Sequence, residues 1–291
     1  MNKMSFVFSK RFIVAVTFAF ISTLVFCQRR DRFLVDAKYE VSWTLNFIND
    51  TVEMTQGPED IFILQTGADY AYQYSHIYHF RDSMFMLNIN PAEIIGELIK
   101  SNRQWGSDLF RARLFKDYKS KKITVVDKIS NHWFIYEEEL LPQNWTILHD
   151  TATIAGYKCQ KAICDYRGRS YHAWFTTEIP ISEGPWKFFG LPGLIVKLHD
   201  TEHHYEFELA GFRETDTKIN IQPVLRGRTT YFLHPTINTT TVRPRRIERI
   251  EFLKLMYGNQ LYDIAADRAA TAGIQLAPRE IKFDHLERDY K

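Results

Sequence analysis

The chain lacks the short motifs that would identify an enzyme directly. Its 291 residues contain no GxSxG, GxxxxGK[ST], HExxH or CxxC pattern. A nucleophile elbow, a phosphate-binding loop, a zinc-protease helix and a dithiol redox pair are therefore not indicated. Catalytic groups can also converge from distant positions, so an enzyme with a non-local site is still an alternative.

A strong charge of either sign is also lacking. The formal net charge is +2 at pH 7, with 45% hydrophobic and 25% charged residues. These proportions are typical of a folded globular protein. Nucleic-acid binding usually requires a strongly basic face, so no nucleic-acid partner is predicted.

No apolar run reaches the length of a membrane-spanning helix. The longest, residues 12–26, has 15 residues and follows the basic Lys3, Lys10 and Arg11. A spanning helix needs about 20 apolar residues, whereas a basic start and a short apolar core are typical of a secretory signal peptide. Residues 1–27 are therefore predicted to direct export and to be removed.

Cleavage before Gln28 would leave residues 28–291 with a net charge of −1 and no integral membrane span. The predicted location is the periplasm or the outer membrane, with secretion as a further option. Two alternatives stay open for the leader, a transmembrane anchor and a lipid attached to Cys27.

Cysteine is scarce, since only Cys159 and Cys164 follow the predicted leader. In one straight strand, five residue steps would separate them by about 16 Å, whereas a disulfide needs Cα atoms within about 7 Å. The pair can bridge only if the chain bends back between them. Two buried free thiols are the alternative.

The abundant signal in the sequence is a β pattern. Apolar and polar residues alternate without a break from Val35 to Phe47, which predicts one long strand with a buried and an exposed face. Such alternation is typical of an antiparallel sheet. Further strands are predicted at 61–66, 121–128, 132–139, 144–150, 155–166, 169–177, 194–199 and 205–209.

Helical signals are few. Asn90 and Pro91 predict the start of a short helix at 91–100, and an apolar period of 3.6 residues predicts helices near 244–270, in a helical C-terminal extension, 244–291. The charged end, 278–291, is predicted to fray. The expected fold is mainly β with added helices, a single domain built on a curved, half-barrel-like antiparallel sheet.

Residues 184–196, GPWKFFGLPGLIV, combine turn residues with large rings. Pro192 and Gly193 predict a type II turn, in which the glycine supplies a positive φ. Trp186, Phe188 and Phe189 are predicted to pack in the core, because adjacent large rings are costly to expose. An apolar surface patch for a partner is the alternative.

Three ordered blocks within residues 156–212, the motif core, resemble the GLPGLI family of exported Bacteroidetes proteins. The residues that carry the resemblance are Gly156, Tyr157, Cys159, Lys161, Ala162, Gly168, Arg169, Trp174, Pro180, Gly184, Pro185, Trp186, Gly190, Leu191, Pro192, Gly193, Leu194 and Ile195. The resemblance implies an exported antiparallel β protein with no established reaction. It supplies no catalytic residue, cofactor or metal, and these motif residues are predicted to be structural.

Two functions are therefore considered. The first is a non-catalytic binding or scaffolding protein for an apolar ligand or an outer-membrane partner, in an oligomeric state that the sequence does not assign. The second is a secreted hydrolase that draws on His132, His172, His199, His203 and His204. A metal site at 199–204 is a less favoured option, since such residues are common in solvated turns.

Overall fold

The computed structural model describes residues 34–50, 55–56, 59–76, 112–129, 132–220, 229–230, 241–242, 244–257 and 285–289. The predicted leader with Cys27, the predicted helix at 91–100 and the helical pattern from residue 258 to 270 lie outside the described residues. Within the described part of the chain, no helix is long and apolar enough to cross a membrane.

The described elements are strands with one helix. Their bounds are β1 (Leu34–Asp36), β2 (Tyr39–Asp50), β3 (Thr55–Gln56), β4 (Asp60–Thr66), β5 (Tyr70–Ser75), β6 (Arg113–Asp117), β7 (Lys122–Ile129), β8 (His132–Glu139), β9 (Thr146–Ile154), β10 (Tyr157–Tyr166), β11 (Arg169–Thr176), β12 (Leu194–Asp200), β13 (Tyr205–Glu214), β14 (Lys218–Asn220), β15 (Thr229–Thr230), β16 (Thr241–Val242), β17 (Arg245–Arg246) and α1 (Arg249–Tyr257).

Most strands form one thirteen-stranded sheet. Its order is β17-β8-β7-β6-β5-β4-β2-β13-β12-β11-β10-β9, and β3 pairs with β2. Neighbours are antiparallel except β17, which runs parallel to β8. Two small pairs, β1-β14 and β15-β16, form separate two-stranded sheets. The path ends at β9 and β17, so the predicted mainly-β fold with an open antiparallel sheet is confirmed.

Strand β2 lies near the middle of the sheet and shows why the alternation predicts it. Val41, Trp43 and Leu45 are fully buried on one side, called here the inner face, while the residues between them are half-buried. Trp43 pairs with Phe62 of β4 and with Leu209 of β13, so apolar side chains meet across three strands. Such cross-strand contacts stabilise the inner face.

The predicted unbroken strand from Val35 to Phe47 is wrong at one point. The N–H of Ala37 donates to the carbonyl of Thr217, and the N–H of Lys38 donates to the carbonyl of Thr66. Thr217 directly precedes β14, whereas Thr66 is the last residue of β4, so the two bonds lead to different strands. The strand is therefore divided into β1 and β2, although the alternation of side chains continues through the break.

The two predicted hairpins around the motif core are confirmed. Strands β10 and β11 are joined at Arg167 and Gly168, both with positive φ (52° and 81°), as a type I′ turn requires. Strand β11 lies between β10 and β12, in agreement with its bulky side chains on both faces. Strands β12 and β13 form the second hairpin.

The inner face is covered by the segment between β11 and β12, by α1 and by residues 285–289. Phe252 of α1 packs against Phe134 and Tyr136 of β8, with ring centroids 5.8 and 5.3 Å apart. The helix begins at Arg249 and not near 244, because the N–H of Ile247 donates to Ile135 of β8 and holds the chain in the sheet.

The charged C-terminal segment differs from its prediction. Residues 285–287 are buried, and the N–H of Arg288 donates to the carbonyl of Arg167 at 2.7 Å. Fraying is therefore wrong for residues 285–289. Their charges are matched inside the protein, as described below.

Candidate functional site

Residues 177–193, the motif loop, connect β11 to β12 and pack on the inner face. Trp186 and Phe188 are 2% and 0% exposed, and the Phe188 ring lies 4.6 Å from that of Tyr171. The predicted core position of these two rings is confirmed. Phe189 is half-buried beside them.

Glycines in this loop are required by close approach. The predicted positive φ at Gly193 is wrong, since Gly190 has the positive φ of 96°. A Cβ at Gly193 would lie 2.0 Å from the carbonyl oxygen of Thr176. The neighbouring strand therefore leaves no space for a side chain at this position.

An ionic cluster lies beneath the motif loop. It consists of three basic and three acidic residues, which are Arg167, Lys187, Arg249, Glu138, Glu287 and Asp289. Lys187 is completely buried, contacts Glu138 and lies 2.5 Å from Glu287. Arg249 binds Glu287 at 2.7 Å and Asp289 at 2.5 Å. Because the charges balance, the cluster can remain ionised inside the protein.

The pKa values of Glu287 and Lys187 in this cluster are strongly shifted. Burial alone would raise the pKa of Glu287, but Lys187, His285 and Arg249 outweigh it and lower the pKa to about 2. Burial opposes the charge of Lys187, yet Glu287, Tyr136 and Glu138 raise its pKa well above the ordinary value. Both groups are therefore charged at neutral pH, as expected for a structural ion pair and not for a proton-transfer pair.

A second buried ion pair lies nearby. Lys116 of β6 binds Glu183 of the motif loop at 2.6 Å, and the Tyr118 hydroxyl donates to the same carboxylate. Burial, followed by the charge of Glu183, raises the pKa of Tyr118, so its phenol keeps its proton. The motif loop is thus attached to the sheet by charge at both Glu183 and Lys187.

The predicted alternative metal site at 199–204 is only partly assembled. Asp200, Glu202 and His204 place one ligand atom each within 4.8 Å of one another. Arg169, however, approaches all three with Nη1, at 2.7, 3.2 and 3.4 Å. A guanidinium already supplies the positive charge there, so these residues do not fit a metal ion.

Three of the five candidate histidines meet on the opposite side of the sheet, the outer face. The ring centroids of His172 and His199 are 5.1 Å apart, and those of His199 and His203 are 4.4 Å apart. Burial lowers the pKa of both His172 and His199. His204 belongs with Arg169, Asp200 and Glu202 to the set described above, called here the Arg169 group. His132 lies at the start of β8, several strands away.

A cleft of about 510 Å³ lies beside β9, β10 and β11. It is lined by Thr151, Ala152, Thr153, Lys158, Cys159, Gln160, Phe175 and Thr177. The register between β9 and β10 is interrupted beside it, between Gln160 and Ala162. The cleft therefore lies where an irregular edge strand leaves the regular ladder.

The two cysteines are free and buried. Cys159 lines the cleft, and its thiol donates to the carbonyl of Tyr157. Burial, followed by the charge of Asp165, raises the pKa of Cys164 to about 12. Neither thiol has the lowered pKa of a nucleophile.

The motif residues differ in their exposure to solvent. Those buried are Cys159, Ala162, Arg169, Gly184, Pro185, Trp186, Leu191, Gly193, Leu194 and Ile195. Those half-buried are Tyr157, Lys161 and Trp174, and those exposed are Gly156, Gly168, Pro180, Gly190 and Pro192. Arg169 is the buried charged member of the set, and the sequence interpretation did not use its charge. A structural role for the whole set stays a prediction.

Sequence reasoning missed the ionic cluster, although one signal was present. Lys187 lies between Trp186 and Phe188, and a charge within an apolar run indicates a buried partner. Its partners Glu138 and Glu287 are 49 and 100 residues away along the chain. No local pattern could identify them.

Comparison with known families finds a match to part of the chain. The model of a family described as "Protein of unknown function (Porph_ging)" matches residues 166–197. This segment contains β11, the motif loop and the first part of β12. No curated protein matches the chain.

Among solved structures, the chain is similar to two described as "Structure of PNGF-II in P21 space group" and "Structure of PNGF-II in C2 space group". The identities are 11% and 12%, and the TM-scores are 0.48 and 0.47. Each match covers 76% of this chain and 33% of the other. The chain thus spans about a third of the length of these solved structures.

Proposed function

We propose that this protein is an exported, non-catalytic binding protein of the cell envelope whose ligand occupies the cleft beside β9, β10 and β11. The observation that carries the proposal is the cleft itself. Its volume of about 510 Å³ lies within the range of about 300–1,000 Å³ that small-molecule sites occupy.

The lining indicates the chemistry of the ligand. Phe175, Cys159 and Ala152 supply apolar surface, whereas three threonines, Gln160 and Lys158 supply hydrogen-bonding groups. An amphiphile fits this combination, with its apolar part against Phe175 and its acceptor groups near the hydroxyls and Lys158. The inner face is a weaker candidate for an apolar ligand, because buried side chains of the described core fill it.

The state of the buried charges supports a non-catalytic role. Lys116 is paired with Glu183, Arg169 with Asp200, and Lys187 with both Glu138 and Glu287. Groups that are neutralised by a partner and closed to solvent have no route to a substrate.

We also propose that the chain belongs to the GLPGLI family, which is a more specific assignment than the matched family of unknown function. The letters GLPGLI at residues 190–195 fall inside the matched segment, 166–197. We also propose that residues 1–27 direct export. If the group bound in the cleft is part of a larger molecule, the proposed partner is an outer-membrane protein.

Native mass spectrometry of the protein purified from its own envelope tests the proposal. We expect a retained ligand or a stoichiometric partner in the unaltered protein and in Thr146→Trp, a change on β9 outside the cleft. Thr153→Trp fills the cleft and should abolish retention. The proposal is wrong if the unaltered protein carries neither a ligand nor a partner, or if Thr153→Trp retains it unchanged.

A further inference from the structure

The strand register places two histidines and one glutamate, residue types that can bind metals, in one row on the outer face. His172 of β11 lies directly opposite His199 of β12, and His199 lies directly opposite Glu206 of β13. Directly opposed residues have Cβ atoms about 4.5–5.5 Å apart, which allows their side chains to share one small ligand. The row crosses three adjacent strands of a hydrogen-bonded sheet.

A fourth group comes from the turn between β12 and β13. His203 has a positive φ of 55°, an uncommon conformation for a residue other than glycine. Its ring stacks on that of His199, and its Nδ1 lies 3.8 Å from a carboxylate oxygen of Glu206. The side chain is 64% exposed, so the ring can turn out of the stack without disturbing the core.

The hydrogen bond of His199 prepares it as a ligand. Its Nδ1 donates to the carbonyl oxygen of Asp200 at 2.9 Å, which leaves the lone pair on Nε2. Metal-binding histidines almost always donate their second ring nitrogen in this way, which fixes the tautomer and the ring orientation. This observation is independent of the clustering of the rings.

We propose that His172, His199, His203 and Glu206 form a surface site for a divalent first-row transition metal, with Zn²⁺ and Cu²⁺ as the ions that fit. Imidazole nitrogens suit these ions at about 2.0–2.1 Å, whereas Mg²⁺ and Ca²⁺ prefer oxygen ligands. Lys197 holds Oε1 of Glu206 at 2.6 Å. Oε2, the oxygen facing His203, is the one assigned to the metal.

The nearby Lys197 does not neutralise the negative charge that the proposed site needs. Lys197 is also 2.9 Å from Glu208, so it is shared by two carboxylates, and these three residues together carry one negative charge. The site is also separate from the Arg169 group, whose Asp200 is buried on the inner face. The two groups can therefore be tested separately.

Isothermal titration of the purified, tag-free protein with Zn²⁺ and with Cu²⁺ tests the site, with Mg²⁺ as the ion that should not bind. We expect one saturable site for Zn²⁺ and Cu²⁺. His199→Gln and His172→Gln should each weaken binding by at least the roughly 10–100-fold that loss of an outer-shell partner causes. Electron paramagnetic resonance of the Cu²⁺ form should show two or more nitrogen ligands.

Two matched variants complete the test. His149→Gln removes an exposed histidine from β9, and Glu202→Gln removes a carboxylate of the Arg169 group; both should bind as the unaltered protein does. The proposal fails if there is no saturable binding, if His199→Gln binds equally well, or if Glu202→Gln weakens binding as much as His199→Gln. Thermal melting without metal verifies that each variant is folded.

Discussion

Lys187 lies between two aromatic residues of the motif loop and keeps its charge inside the protein. Its ammonium group contacts Glu138 and Glu287, and the rings of Tyr136 and Trp186 lie 5.3 and 5.5 Å away. A buried charge is tolerated only when partners replace its hydration. Each charged residue of the cluster therefore compensates the buried charge of its partners.

Removing one charge from this cluster should destabilise the protein strongly. We expect Lys187→Met to lower the free energy of unfolding by about 3–5 kcal/mol, because it leaves a buried carboxylate uncompensated. The double variant Lys187→Met/Glu287→Gln should be less destabilised than the sum of the single changes. Urea unfolding of all three proteins measures both effects.

The pair Lys119–Asp69 provides the control, since its side chains are 71% and 42% exposed. Lys119→Met should leave the free energy of unfolding nearly unchanged, because water and salt screen an exposed ion pair. Equal losses for Lys187→Met and Lys119→Met would contradict a role for burial.

Single residues also show what sequence can and cannot predict. The burial of Trp186 and Phe188 follows from their size alone. The need for glycine at 193 was predicted for the wrong reason, because the conflict is with the carbonyl of Thr176 in a neighbouring strand. The row of His172, His199 and Glu206 depends on the register of three strands, which no local pattern contains.

At the scale of elements, the segment 285–289 packs on the inner face of the sheet and is held there by hydrogen bonds. Tyr171 donates through its hydroxyl to the carbonyl of Leu286 at 2.6 Å, and Arg169 donates to that of His285 at 3.1 Å. These bonds attach the segment to β11. Without it, Lys187 and Arg249 would lose their partner Glu287.

Deletion of residues 285–291 should therefore lower the free energy of unfolding by at least about 3 kcal/mol, the lower estimate for breaking a buried ion pair. For a domain of this size this corresponds to a fall in Tm of roughly 6–12 °C. The full-length protein is the reference for this comparison. Differential scanning calorimetry compares the two, and equal melting would show that the segment is dispensable.

Elements differ in how far their sequences reveal them. Strands β2, β12 and β13 are predicted by alternation, because one face is buried along most of their length. The segment 285–289 was missed because its charged residues resemble a solvated end. Its burial depends on Lys187, Arg249 and Arg167, which are distant in sequence.

At the scale of the whole molecule, buried titrating groups link stability to pH. Burial lowers the pKa of His285 from 6.5 to about 4, and the pKa of Glu287 is lowered to about 2. Both groups bind protons more tightly in the unfolded chain. Stability therefore falls as pH falls, first from about 6.5 to 4 through His285 and then from about 4.5 to 2 through Glu287.

We expect the free energy of unfolding to decrease by about 1.5 kcal/mol between pH 6.5 and pH 5 through His285 alone, because the slope reaches 1.36 kcal/mol per pH unit only below the unfolded pKa. His172 and His199, whose pKa values are also lowered, add to the fall. Urea unfolding at both pH values should show a smaller fall for His285→Gln than for the unaltered protein. An unchanged slope in His285→Gln would refute the assignment.

The position of Glu287 has a consequence for biosynthesis. A ribosome makes this carboxylate after every described strand of the sheet and after α1, so Lys187 and Arg249 emerge without one of their counter-ions. The nascent chain therefore stays short of its final packing until residue 287 has left the exit tunnel. The buried ionic cluster is therefore among the last parts of the described fold to form, and Lys187 and Arg249 need water or temporary partners until then.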